Sequence, residues 1–435
     1  MHRAPLIMVC TCEIAGQVRG KAFPASELPA RMTSGVGWVP SMTMISALGP
    51  TADTPFGLTG ELILVPDPAT EVQVEFGDDG EPEHFFLGDL RETDGTPWSC
   101  CPRDFARRAI AALQHEARLQ VLAAFEHEFT YTGIEARGGA AFSLDAFRRQ
   151  GAFGAMLVAA MTQAGLQPDS FLPEYGPRQF EVTVAPARGL RAADQAVITR
   201  EMVRATAHRL NSRALLTPAP EPNDTGNGVH VHLSLLGPDG APALPDPAGR
   251  FGLSPAGRSF AAGILDHQAA LVALTAPSPV SALRLRPDRI APTHVYLADR
   301  DRGASLRLCP GLQLPGMDPR RQLNLEYRAA DATASPYFAL GAIVWAGLDG
   351  IRRGLDLPPH ADVADMDDAA RSLAGIPRLP ATLDEALDRL EATEAARDWF
   401  GPVLFDAYLR HKRAELRMVA ELNETALCEL YAQLF

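Results

Sequence analysis

The stretch Leu122-Ala123-Ala124-Phe125-Glu126-His127-Glu128-Phe129 ends an apolar run with two carboxylates spaced two residues apart. Residues i and i+2 of a β-strand point to the same face, so the spacing predicts a strand that presents both carboxylates on one side. The stretch Val229-His230-Val231-His232-Leu233 repeats the pattern with two imidazoles, and Leu323-Asn324-Leu325-Glu326-Tyr327-Arg328 repeats it with a carboxylate and a guanidinium. Such groups on several strands indicate a divalent-metal site that handles phosphate.

Composition describes an ordinary globular protein of 435 residues, for which two domains of unequal size are expected. The net charge of −13 argues against nucleic acid or an anionic membrane as a partner. No window approaches the roughly 18 apolar residues of a membrane span. The six cysteines form no Cys-x-x-Cys pair, and no secretory leader is recognisable. We therefore expect a cytoplasmic protein that acts on small molecules.

The pattern of elements changes near residue 98. Residues 1–98 read as strands and turns, whereas a helix is predicted from Pro102 to about Arg118. This predicts an N-terminal domain over 1–98 and a second domain over 99–435, of α+β class. Further predicted helices cover 144–165, 192–211, 255–275, 336–354, 382–398 and 402–432, a strand is predicted at 180–184, and a surface loop is predicted at 356–381.

Taken in chain order, the motifs resemble those of the glutamine synthetase family over nearly the whole chain. The matching stretches are Glu126-His127-Glu128-Phe129, Glu174-Tyr175-Gly176-Pro177-Arg178-Gln179-Phe180-Glu181, Gly226 to Ser234, Arg284 to Pro292, Arg302-Gly303-Ala304-Ser305-Leu306-Arg307 and Glu326 to Tyr337. The resemblance implies a small β-grasp-like N-terminal domain and a large catalytic domain with a curved antiparallel sheet backed by helices. It also implies ATP, two or three Mg²⁺ or Mn²⁺ ions, and a homododecamer of two stacked hexameric rings.

The resemblance further implies roles for individual residues. One ion would be bound by Glu128, Glu174 and Glu181, and the other by Glu126, His230 and Glu326. Phosphates and nucleotide would be contacted by His232, Ser234, Arg302, Arg307 and Arg321. Glutamate would be bound by Thr225, Gly226, Arg284 and Arg328, with His232, Arg302 and Arg328 acting in catalysis.

Two departures from the family pattern concern the amine. Ile290 stands where the family has an acidic residue that binds ammonium, and Val39 stands where a neighbouring subunit would supply an aspartate, although Asp53 is an alternative there. Ammonium needs carboxylates to replace its water, so apolar residues at these positions favour an organic amine with a hydrophobic substituent. A third departure concerns glutamate: Thr225 stands where the family has an asparagine that helps to hold this substrate.

The sequence thus predicts an ATP-dependent ligase that joins glutamate to an organic amine through γ-glutamyl phosphate. Polyamines fit least well, because their second cationic amine would require further acidic residues. One alternative is a divergent glutamine synthetase that uses ammonia. Another is a catalytically silent regulatory relative, against which the presence of all six implied metal ligands counts.

Overall fold

The first part of the chain forms a mixed β-sheet, in which one pair of neighbouring strands runs parallel and the other pairs run antiparallel. The computed structural model describes residues 4–57, 59–139, 141–287, 289–359, 363 and 365–435. The strands of this sheet lie in the order β2-β1-β6-β4-β3, with β5 also paired to β6. The bounds are β1 Leu6–Cys12, β2 Val18–Pro24, α1 Leu28–Ser34, β3 Val36–Trp38, β4 Leu62–Pro66, β5 Val72–Val74 and β6 Glu83–Glu92.

A larger, nine-stranded sheet follows, and its main path runs β13-β14-β15-β12-β7-β9-β8, with β10 and β11 on β7. Its pairs are antiparallel except for β13 and β14, which run parallel. The strands are β7 Gln120–Tyr131, β8 Pro168–Pro173, β9 Gln179–Val184, β10 Ala187–Arg188, β11 Ala214–Leu215, β12 Val229–Leu236, β13 Leu297–Asp299, β14 Leu306–Cys309 and β15 Asn324–Tyr327. The predicted combination of a small N-terminal sheet and a large helix-backed catalytic sheet is confirmed.

Helices alternate with the strands of the large sheet and then follow them to residue 434. They are α2 Pro102–Ala117, α3 Leu144–Arg149, α4 Phe153–Gln163, α5 Leu190–Arg209, α6 Pro255–Thr275, α7 Ser281–Arg284, α8 Pro336–Arg353, α9 Asp368–Leu373, α10 Leu383–Ala392, α11 Glu394–Phe400, α12 Pro402–Met418 and α13 Glu424–Leu434. Helices α2 and α5 pack on β7, and the largely buried α8 packs against α2, α5 and α6. A Cβ atom on Gly263 would lie 2.7 Å from the Cα atom of Gly350, so the close crossing of α6 and α8 requires glycine.

A buried arginine at the start of α2 joins the small sheet to helix α5. Arg103 Nη1 donates to Asp89 of β6 at 3.0 Å, and Arg103 Nε donates to Asp194 of α5 at 2.9 Å. Arg103 Nη2 also reaches Asp67 at 2.7 Å, while the Tyr337 hydroxyl donates to Asp194 at 2.8 Å. Because the Arg103 side chain is only 2% exposed, this network fixes the small sheet against the catalytic helices.

Three predicted single helices are wrong, since the structure divides each of them. The 144–165 helix breaks at Gly151, whose φ of +65° ends α3 before α4 begins. The 382–398 helix is interrupted at Thr393, and the 402–432 helix stops at Met418 before Asn423 caps α13. The predicted loop at 356–381 contains the short helix α9, while residues 360–362 and 364 of that loop lie outside the described residues. Across the described chain, no helix combines the length and apolarity needed to cross a bilayer.

Candidate active site

Five neighbouring strands carry ionisable residues that the sequence singles out. In the strand register, Glu181 of β9 pairs with Glu128 of β7, and Glu126 pairs with His230 of β12. His232 then pairs with Glu326 of β15, which pairs with Arg307 of β14. Antiparallel pairing places directly opposed residues on one face of a sheet. The motifs therefore meet in a single row across the sheet.

The other face of β7 belongs to the core. Every second residue of this strand is buried along most of its length, and His127 is 1% exposed between the buried rings of Phe125 and Phe129. Burial, with the charge of Arg200, lowers the pKa of His127 to about 3. The imidazole is thus neutral and structural, as the alternation of a half-buried strand requires.

The imidazoles and carboxylates of the row lie within contact distance. Glu126 is 3.0 Å from His232 Nε2 and 3.3 Å from His230 Nδ1. His230 also lies 3.7 Å from Glu326 and 4.0 Å from Glu128. The Nδ1 atom of His232 faces the Asn324 side-chain oxygen at 2.7 Å, which orients the ring.

Arginines neutralise one end of the row. Arg307 Nη1 donates to Glu326 at 2.7 Å, and Arg328 donates to the other oxygen of the same carboxylate. Arg284 is buried and donates to the carbonyl of Ala330 at 2.6 Å, so its guanidinium is fixed by the backbone. Fixed guanidiniums are the groups that bind carboxylates and phosphates with defined geometry.

The carboxylates nearest the histidines are held ionised. Burial alone would raise the pKa of Glu126, but hydrogen bonds with His230 and His232 hold that pKa well below its usual value. Burial is likewise outweighed at Glu326, where the charges of His230, Arg328 and His232 lower the pKa to about 2. Both groups can bind a cation at neutral pH without first losing a proton.

The carboxylates at the other end of the row repel one another. Burial, followed by the charges of Glu126 and Glu128, raises the pKa of Glu181 to about 9. Burial and the charge of Glu128 raise the pKa of Glu174 to about 7. Like charges that share a site favour protonation unless a cation separates them. A divalent ion bound here would displace these protons and separate the like charges.

The donor set fits such ions. Ligand atoms of Glu126, Glu181 and His230 lie within 4.8 Å of one another, as do those of Glu126, His232 and Glu326. Carboxylate oxygens with one imidazole favour Mg²⁺ or Mn²⁺ over softer metals. These groups differ from the two ligand sets that the family resemblance implies, since Glu181 stands with Glu126 and His230, and His232 stands with Glu126 and Glu326. Glu128 Oε2 accepts hydrogen bonds from Gln179 and from the Gly228 backbone.

The row lines a cavity of about 540 Å³. Of the residues predicted from the sequence, those that line it are Glu126, Glu128, Glu174, Glu181, Thr225, Gly226, His230, Arg284, Ile290, Arg302, Arg307, Glu326 and Arg328. Thirteen residues from distant parts of the chain are therefore brought to one space.

Four residues named in the sequence analysis, namely His232, Ser234, Arg321 and Asp53, lie outside that lining. His232 and Ser234 continue the row along β12, where the Ser234 hydroxyl donates to the carbonyl of Leu323 at 3.2 Å. Arg321 is exposed in a short 3₁₀ turn, Pro319–Arg321, just before β15. Asp53 forms an ion pair with Arg410 at 3.1 Å. The nucleotide contacts of Ser234 and Arg321 stay predictions.

Sequence reasoning missed several residues of the cavity. Gln179 bridges Glu128, Asn227 and the Gly226 carbonyl through its side-chain nitrogen, with a 2.7 Å bond to that carbonyl. Phe142, Leu172 and Tyr175 supply apolar surface to the lining. Gln179 and Tyr175 stand inside a recognised motif and could have been found there, whereas Phe142 and Leu172 carry no sequence signal.

A carboxylate row suited to divalent ions, next to fixed arginines in one cavity, defines an ATP-dependent carbon–nitrogen ligase when set in this fold. The family model for the glutamine synthetase catalytic domain matches residues 99–431, and that for the glutamine synthetase N-terminal domain matches residues 1–98. The chain belongs to the glutamine synthetase family, whose members generally use ATP and divalent metal ions.

Individual relatives agree with this assignment. The chain is 32% identical to the gamma-glutamylpolyamine synthetase GlnA3 of Streptomyces coelicolor, covering 98% of this chain and 92% of that protein. It is 28% identical to the glutamine synthetase of Methanocaldococcus jannaschii, covering 82% of this chain and 79% of that one. A crystal structure described as a novel glutamine synthase homolog superposes with a TM-score of 0.93 at 42% identity, covering 100% of this chain and 99% of that chain.

Proposed function

We propose that this protein joins the γ-carboxylate of glutamate to an organic amine, with ATP as the phosphoryl donor. The observation that carries the proposal is Ile290, which lines the cavity beside the ligand row, where an ammonium site would require a carboxylate. The name of the Streptomyces relative, a gamma-glutamylpolyamine synthetase, supports an organic amine as the nucleophile. A polyamine fits this site less well, because its second cationic amine would require further acidic residues.

The reaction has two steps. An oxygen of the glutamate γ-carboxylate bonds to the γ-phosphorus of ATP while the bond to ADP breaks. The amine nitrogen then bonds to the carbonyl carbon (Cδ) of this acyl phosphate, inorganic phosphate leaves with the bridging oxygen, and the amine releases a proton. Two divalent ions would screen the charges of the phosphates and of the attacking carboxylate.

The side chains of the cavity would divide this work. We assign the divalent ions to Glu126, Glu128, Glu174, Glu181, His230 and Glu326. Arg284 and Arg328 would bind the carboxylates of glutamate, near Thr225 and Gly226, while Arg302 and Arg307 would bind phosphate oxygens. His232, oriented by Asn324, would donate to the transferred phosphate. Ser234 and Arg321 are proposed on the nucleotide side.

We further propose that residues 1–98 and 99–435 are the functional domains and that the protein assembles as a dodecamer of two hexameric rings. The family resemblance implies that a neighbouring subunit closes each site near its Val39. Mass measurement by light scattering tests this assembly, because a monomeric active enzyme would contradict it.

The experiment that tests the function is ATP-dependent phosphate release with glutamate, Mg²⁺ or Mn²⁺, and a panel of ammonium and organic amines. Release with an organic amine, with the γ-glutamyl amide identified by mass spectrometry, is the expected result. Release with ammonium alone would instead make the protein a glutamine synthetase. No release with any amine, despite ATP binding, would favour the regulatory alternative.

A further inference from the structure

Three large apolar side chains stand where the cavity meets solvent. Phe142, Tyr175 and Ile290 all line the cavity, yet they are 57%, 55% and 55% exposed. Leu172 adds a partly buried side chain to the same lining. We call these four residues the apolar collar. Several exposed apolar groups that line one polar cavity indicate a binding surface, because exposed apolar residues more often occur singly.

Two members of the apolar collar form an aromatic pair. The rings of Phe142 and Tyr175 meet edge to face, with centroids 5.3 Å apart. Tyr175 directly follows Glu174, one of the proposed metal ligands, so the pair lies one peptide unit from the ligand row. An edge-to-face pair leaves a ring face open to a further aromatic or alkyl group.

The backbone at Phe142 is strained. Its φ is +54°, in the left-handed region that bulky side chains rarely adopt. The Phe142 N–H donates to the Pro173 carbonyl at 3.1 Å, and the adjacent Ser143 caps α3 through the Ala146 N–H at 3.1 Å. Strain of this kind persists where the surrounding structure holds it and where the position of the side chain matters. Glycine or asparagine would relieve it, but neither supplies a ring.

The charges of the cavity restrict what the apolar collar can bind. All the carboxylates among the described lining residues belong to the five glutamates of the proposed ligand set. None is left to pair with a second ammonium group on the substrate. An uncharged substituent therefore matches this surface better than a cationic one.

We propose that the apolar collar binds an aromatic or branched alkyl substituent of the amine and that Phe142 determines this specificity. The inference rests on the proposed function, because it assigns the substrate class of the same site. The two-step reaction proposed above stays the same. The apolar collar determines only which amine reaches the γ-glutamyl phosphate in the correct orientation.

The test measures kcat/KM for ammonium, methylamine, isobutylamine, benzylamine and putrescine in the wild-type protein, in Phe142→Ala and in Phe142→Gly. Glycine accepts the left-handed backbone, so the second variant separates loss of the ring from strain. Phe147→Ala is the matched control, because Phe147 is an exposed ring on the same segment that lies outside the cavity lining. The readout is the ratio of kcat/KM for benzylamine to that for methylamine.

We expect the wild-type protein to prefer benzylamine and isobutylamine. Both Phe142 variants should lower the ratio of kcat/KM for benzylamine to that for methylamine about tenfold, whereas Phe147→Ala should leave this ratio unchanged. A ratio that is unchanged in both variants, or putrescine as the best substrate, would overturn the role of the apolar collar while the amine ligase function stands. Turnover with ammonium alone would overturn the proposed function itself, so the two failures are distinguishable.

Discussion

Replacing Glu181 with glutamine should stabilise the metal-free protein at neutral and alkaline pH. The pKa of Glu181 rises from 4.5 to about 9 on folding. Between these values the native state binds more protons than the unfolded chain, so the free energy of unfolding falls as pH rises through this window. At pH 7, which is about 2.5 pH units above the unfolded pKa of 4.5, holding Glu181 protonated lowers the free energy of unfolding by about 3 kcal/mol.

The repulsion is spread over Glu126 and Glu128 as well, and solvent in the open cavity screens it. We therefore expect Glu181→Gln to raise the free energy of unfolding by about 2 kcal/mol. For a chain of this length unfolding as one unit, that is a rise in Tm of about 2 °C. The assay is differential scanning calorimetry in EDTA between pH 5 and 8, with Glu421→Gln, an exposed glutamate, as the control.

The gap in Tm between Glu181→Gln and the wild-type protein should widen as pH rises. Adding Mn²⁺ should raise the Tm of the wild-type protein more than that of the variant, because the cation removes the repulsion that the substitution has already removed. A wild-type Tm in EDTA that does not fall from pH 5 to 8 relative to the variant would refute the reasoning.

Three other substitutions test separate parts of the structure. Glu326→Gln should lower ATP turnover about 100-fold or more without changing the circular dichroism, and near-normal turnover would exclude a ligand role. Ile290→Glu should raise phosphate release with ammonium several-fold relative to an organic amine; an unchanged preference would place the amine elsewhere. Arg103→Met should lower the free energy of unfolding in urea by about 3–5 kcal/mol because it leaves Asp194 buried without its partner. The exposed Arg352→Met should change it by about 1 kcal/mol or less, and equal effects would contradict the importance of the buried network.

The sequence predicted which residues of each strand share one face, because strand alternation is a local property. Glu126, His230 and Glu326 each sit in a short apolar context of period two, and the structure pairs their strands as neighbours. No local pattern states that β12 lies between β7 and β15. That order depends on tertiary packing and was not predicted.

The predictions that failed depended on single residues or on distant contacts. Gly151 ends α3 through a left-handed backbone that a search for helical periodicity passes over. Asn423 is a helix cap whose side chain accepts from the Ala426 N–H at 2.9 Å, a signal that was available in the sequence. The sequence around Phe142 gave no sign of its role, because Phe142 lines the cavity only once the fold brings Tyr175, just after β8, into contact with it.

The alternation of β7 also has a consequence for how the protein can vary. Glu126 and Glu128 face the cavity while His127 faces the core, so inserting or deleting one residue within this strand would exchange the two faces. Two carboxylates would then enter the apolar interior and one neutral imidazole would replace them at the cavity. A chain with that error would fail to fold and fail to bind metal at once. Length changes should therefore be tolerated in the connecting loops and excluded from this strand.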